Sequence, residues 1–136
     1  MTSTIQTTAS TSKASRWAGY TLSVLAILFL LFDGTIKVLQ LPVAVESTTQ
    51  LGYAANLLLS IGLVELACLL LYALPQTAIL GAILMTGYLG GAVATHVRAG
   101  SDWFSLIFPF MIGALLWGGL YLRNETVRKL IPLLRN

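Results

Sequence analysis

Four long runs almost free of charge, separated only by short breaks, dominate this chain. Trp17–Phe32 and Trp103–Leu122 carry no charged residue, Tyr53–Leu74 carries Glu65 alone, and Gln76–Val97 carries none besides the neutral-capable His96. A hydrocarbon core about 30 Å thick is crossed by about 20 apolar helical residues. Helices satisfy their backbone polar groups internally, which lipid requires. The pattern therefore predicts an all-α membrane protein, a four-transmembrane-helix bundle. Composition agrees. Apolar residues make up 57% and charged residues 10% of the 136, against about 25% charged in a typical soluble domain. Disordered and disulfide-scaffold classes are excluded on the same grounds. The single cysteine, Cys68, rules out an intrachain disulfide and a paired-cysteine redox mechanism, and reads as a small packing residue.

Residues 1–16 are Ser/Thr-rich and read as a disordered tail. The run after Arg16 is longer than the apolar core of a secretory leader. Asp33-Gly34-Thr35 follows it, rather than a clean small-x-small cleavage pattern, so it reads as an anchor. Trp17–Phe32 alone covers only about 24 Å at 1.5 Å per residue, so the first span is expected to continue through Asp33 and Lys37 to Leu41, with Pro42 ending it. Val43–Gly52 reads as a loop with room for a short interfacial helix. The remaining spans are expected at about 53–74, 76–97 and 103–122, giving a transmembrane domain over 17–122. Pro109 should kink the last of them, since the Ser105 carbonyl loses its donor. The tail 123–136 is basic and amphipathic, with Val127, Leu130, Ile131 and Leu134 on one side, as in a helix lying on headgroups.

Positive charge is distributed unevenly. Lys13, Arg16, Arg123, Arg128, Lys129 and Arg135 share one side of the membrane in this arrangement, while Lys37 and Arg98 lie on the other. Positive charge retained inside predicts both termini in the cytoplasm. The net charge of +3 flanks apolar runs, so it points to topology and a lipid-bilayer partner, not to nucleic acid. Trp17, Tyr53, Trp103, Trp117 and Tyr121 fall at or near span ends, as an aromatic belt would.

Ionisable groups within spans disfavour insertion by roughly 2.5–3.5 kcal/mol each and mark functional candidates. Asp33 and Lys37 are four apart and share a helix face. They form either a local ion pair or part of a binding or proton site. Glu65 lies near the middle of its span, too deep to reach an interface, and must be protonated or partnered. It serves a structural hydrogen bond or a ligand, proton or ion. His96 shares a face with Ala92 and Tyr88 at steps of four, suiting either a wetted interface residue or one wall of a bundle mouth. With one histidine and no cysteine pair, no metal site is expected. Arg98 is roughly 200° around the helix from His96, so both cannot face the core unless the helix ends between them. Gly87 and Gly91 form a G-x-x-x-G pair continued by Thr95, and Ala114 and Gly118 a second small-residue surface. Such spacing lets helices pack, within one chain or between two copies in a homodimer. No phosphate-binding loop, nucleophile elbow, metalloprotease helix or dinucleotide fingerprint occurs, so no catalytic residues are assigned.

Phe32-Asp33-Gly34-Thr35-Ile36-Lys37-Val38-Leu39 resembles the G-x-x-K signature in the first helix of DoxX-like membrane proteins. Gly62-Leu63-Val64-Glu65-Leu66 resembles that family's G-x-x-E in the second helix, and the stretch from Gly87 to Arg98 its third-helix ending. The resemblance covers about residues 17–132, with matching spacing of all four spans. It implies a four-helix bundle in a bacterial cytoplasmic membrane and carries over Gly34, Lys37, Gly62, Glu65, His96 and Arg98 as pattern positions. Some relatives are linked to thiosulfate–quinone oxidoreduction or to membrane redox and detoxification complexes. The leading expectation is an accessory subunit whose outward cavity, lined by Asp33, Lys37, Glu65, Tyr88, His96 and Arg98, binds a small molecule such as a quinone. Electron transfer then falls to a redox partner protein. A small proton-coupled transporter using Glu65 and a purely structural assembly protein are the alternatives. For the transporter, Lys37 and Arg98 are expected to repel cations from the mouth.

Overall fold

A computed structural model describes residues 13–131. Helix α1 spans Lys13–Val38, α2 Pro42–Gln50, α3 Leu58–Ala73, α4 Ala78–Ala99, α5 Trp103–Arg123 and α6 Glu125–Leu130, with one turn of 3-10 helix at Ala55–Leu57 before α3. Four segments, Lys13–Val38, Ala55–Ala73, Ala78–Ala99 and Trp103–Arg123, are long and apolar enough to cross a membrane. They close into a ring in which α1 packs on α3 and α5, and α4 packs on α3 and α5. The ring wraps Ala26, Leu30, Leu69, Tyr72, Met85, Leu116 and Leu120. Its outer face is itself apolar: Trp17, Phe32, Leu70, Phe104 and Phe110 are each at least 60% exposed. In water so broad an apolar surface would drive association; in lipid it is the solvated face.

The first span departs from the expected boundaries at both ends. α1 already begins at Lys13, so Lys13–Arg16 are helical; the tail before them lies outside the described residues. Its far end is Val38, not Leu41. Gln40 turns the chain with a φ of 52°, and Pro42 opens α2 at its first turn. Proline there loses no bond, because the first helical N–H groups have no intrahelical partner. The α3–α4 break is closed by Thr77, whose hydroxyl donates to the Leu71 carbonyl at 2.7 Å. α4 ends at Gly100, which takes the left-handed conformation at φ 65° that favours glycine. Asp102 caps α5, accepting from the Ser105 amide at 3.2 Å and the Ser105 hydroxyl at 2.8 Å. Those bonds hold the exposed Asp102 carboxyl below its ordinary range. Val127 of α6 is buried against the bundle, while Leu130 is exposed; Leu134 and Arg135 lie outside the described residues. The Trp117 indole donates to Thr86 Oγ1 at 2.7 Å, tying α5 to α4.

At the end of the bundle where α1 starts, a chain of donors locks three helices. Arg123 Nε donates to Ser23 Oγ at 3.1 Å, Ser23 shares a 2.9 Å hydrogen bond with the Tyr72 hydroxyl, and Tyr72 donates to the Leu116 carbonyl at 2.6 Å.

Close helix approach is set by glycines other than the G-x-x-x-G pair. A Cβ at Gly119 would come within 2.8 Å of the Gly19 carbonyl oxygen, and one at Gly81 within 2.5 Å of Tyr72 Cα. At Gly87 and Gly91 a Cβ would meet nothing within 4 Å. These two therefore do not set a helix approach among the described residues; they border the cavity described below. Gly81→Ala should destabilise the fold by about 1–3 kcal/mol, because backbone cannot step aside. Gly90→Ala, also in open space, should stabilise it by up to about 1 kcal/mol through helix propensity. Unfolding of both variants in detergent checks the contrast.

Candidate functional site

On α1, Phe29, Asp33 and Lys37 follow one another at intervals of four, so a single face passes from aromatic to acidic to basic. The α1–α3 crossing turns this face toward Glu65. A Cβ at Gly62 would lie 2.9 Å from Lys37 Cβ and 3.0 Å from the Val38 amide nitrogen, and one at Gly34 would press on Leu66. Two glycines, one per helix, thus let the backbones close until Lys37 reaches Glu65.

Lys37 Nζ lies 2.5 Å from Asp33 Oδ2, 2.8 Å from Glu65 Oε2 and 2.9 Å from the Tyr88 hydroxyl. Tyr88 in turn donates to Glu65 Oε2 at 2.8 Å. Glu65 is fully buried, and its second oxygen, Oε1, has no hydrogen-bond partner among the described residues. Lys37 does not reach outward to an interface; its side chain is 18% exposed and turned onto two carboxylates. Charge pairing outweighs the pull of water there, since an unpaired carboxylate within the bundle would be far less favourable.

The cluster borders a cavity of about 470 Å³. The α4 side of the cavity is Gly87, Gly91, Thr95 and, one position on, Tyr88, Ala92 and His96. The space left by Gly87 and Gly91 is this cavity. Phe29 from α1 and Phe108 from α5 add an apolar wall, their rings 4.9 Å apart between centroids in an edge-to-face arrangement. Pro109 lines the same wall. From α2 and the turn after it come Thr48, Leu51 and Tyr53, with the Tyr53 and Thr95 hydroxyls 2.8 Å apart.

Of the six ligand candidates, the structure joins Asp33, Lys37, Glu65 and Tyr88 directly. His96 stands on the same cavity, its Nδ1 2.9 Å from Ser101 Oγ. Arg98 lies apart from them. α4 continues through Ala99, so the residue two steps from His96 must face away. Its Nη2 donates to the Leu51 carbonyl at 3.1 Å, and its guanidinium carbon lies 5.8 Å from the centre of the Tyr53 ring. Phe29, Thr48 and Phe108 were not signalled as site residues. Only Phe29 left a trace, one turn before Asp33.

A sequence model of the DoxX-like family matches residues 21–119. The chain belongs to the DoxX-like family. No curated protein and no solved structure matches it. In this DoxX-like chain, the glycines and charged residues of the first two motifs, Gly34, Lys37, Gly62 and Glu65, meet at one helix crossing. The glycines supply the approach and the charged pair uses it. Cys68 is buried in the core, as a packing residue would be.

Proposed function

We propose that this DoxX-like membrane protein binds a small amphipathic, quinone-like molecule and serves as an accessory subunit of a membrane redox system. A partner protein carries out the electron transfer. Both termini would face the cytoplasm of a bacterial cell. The observation that carries this reading is the cavity, whose volume of about 470 Å³ falls in the range of small-molecule sites. It also has the composition such sites use, apolar walls with a few convergent polar groups. Glu65→Gln tests it. The variant should insert into membranes as the parent does, while native pull-down from membranes shows a changed set of bound small molecules or partner proteins. Unchanged insertion together with an unchanged bound set would remove Glu65 from the site.

A second reading, a proton-coupled transporter using Glu65, gains from one observation. Lys37 is paired with two carboxylates, so it no longer repels cations from the cavity as the bare sequence suggests. Substrate-dependent proton flux in proteoliposomes would favour this reading, and a silent substrate panel would count against it.

A further inference from the structure

We infer that the cavity selects its ligand by hydrogen-bond donation: it takes an amphipathic molecule whose head carries O–H or N–H, and disfavours one whose head can only accept. This rests on the cavity being a small-molecule site and narrows the quinone-like reading: of a quinone and its reduced form, the cavity takes the hydroxyl-bearing quinol, because the quinone head can only accept.

A lysine ammonium has three N–H groups, and Lys37 directs them at Asp33, Glu65 and Tyr88. The one hydroxyl hydrogen of Tyr88 goes to Glu65. Every donor of the cluster is thereby used within it. What remains are acceptors. Among the described residues, Glu65 Oε1 is buried without a partner, and Asp33, whose side chain is 32% exposed, engages Lys37 through Oδ2 alone. Both residues line the cavity. A carbonyl or ether head would set its lone pairs against theirs. To gain a bond it would have to draw Lys37 off a carboxylate, leaving that charge unpaired within the bundle. A hydroxyl or amine head can meet the part-exposed Asp33 carboxylate as it stands and, with a local shift that opens it, Glu65 Oε1, leaving Lys37 on both carboxylates. The formal charges of Asp33, Glu65 and Lys37 add to one negative charge, which further favours a cationic head over an anionic one. Tyr53 does not supply a spare donor, because the Thr95 hydroxyl hydrogen goes to the Gly91 carbonyl and Tyr53 must donate to Thr95. Thr48 and His96, also at the cavity, can each act either way and do not discriminate.

The test uses the full chain in lipid nanodiscs and three probes of one shape: para-hexylphenol, its methyl ether, and para-hexylbenzylamine. Binding is read from intrinsic tryptophan fluorescence, with empty nanodiscs correcting for partition into lipid. The phenol should bind at least about tenfold more tightly than the ether, since a buried acceptor left unmatched rejects the capped analogue. Preference for the phenol marks a neutral donor as the natural head, and a further gain with the amine marks a cationic one; either supports the inference. In Asp33→Asn and in Glu65→Gln, where an amide brings its own donors, the phenol-to-ether ratio should fall to within about threefold. An ether that binds as well as both donor probes overturns the inference, and would mean that the cluster turns a proton outward. A ratio unchanged in both variants also overturns it, by placing the preference elsewhere. Binding of no probe overturns the small-molecule reading as well.

Discussion

Replacing Lys37 with methionine is expected to destabilise the bundle by about 3–5 kcal/mol, the range for stripping one partner from a buried ion pair. The loss arises from what stays behind. Asp33 and Glu65 would face each other across the α1–α3 crossing, with Tyr88 as the remaining donor on Glu65. Adding Asp33→Asn and Glu65→Gln to Lys37→Met removes that charge and should restore stability to within about 2 kcal/mol of the parent. Denaturant unfolding in detergent measures all of these. Recovery in the triple variant separates the cost of stranded carboxylates from any loss of lysine packing. If Lys37→Met is as stable as the parent, the cluster is not the buried charge network described.

The second large effect concerns space. Gly91→Phe should weaken small-molecule binding at least about 100-fold, a loss of roughly 2.7 kcal/mol, while leaving stability nearly unchanged. A Cβ at Gly91 would meet nothing within 4 Å, and Gly91 lines the cavity, so the ring is expected to fill the cavity before it presses on a helix. Binding and thermal unfolding, measured on the same preparation, check both halves. A glycine that packed helices would give the opposite pair of results, with stability lost first.

That reversal shows where sequence reasoning reaches and where it stops. The four spans follow from apolar length, and the Asp33–Lys37 pair from helical spacing. Glu65 stands out because a carboxylate in mid-span demands a reason. Tyr88 and His96 fall on one face by simple periodicity. The meeting of Lys37 with Glu65 and Tyr88 is a different kind of fact. It depends on which helices are neighbours in the ring, and no local pattern encodes that order. Pro42 illustrates the limit at the level of the backbone: a proline reads equally as the end of one helix and the first turn of the next, and here it is the second. Gly87 and Gly91 illustrate it for packing. Missing side chains leave room, and only the tertiary structure shows whether a helix fills that room or a cavity remains. Arg98 enters the site in sequence only through the family resemblance, against its helical phase relative to His96. An unbroken helix rotates it away to the turn after α2. Phe108 comes from α5, whose sequence carries no polar marker to draw notice.

The central claim is that the cavity beside Lys37 and Glu65 holds a small amphipathic molecule. Native mass spectrometry of the full chain, released gently from its own membranes and compared with Gly91→Phe prepared alongside, tests this most directly. The account predicts a bound small molecule of defined mass on the parent chain that is absent from the variant, with both proteins folded. The same bound species on both, or none on either, would contradict it.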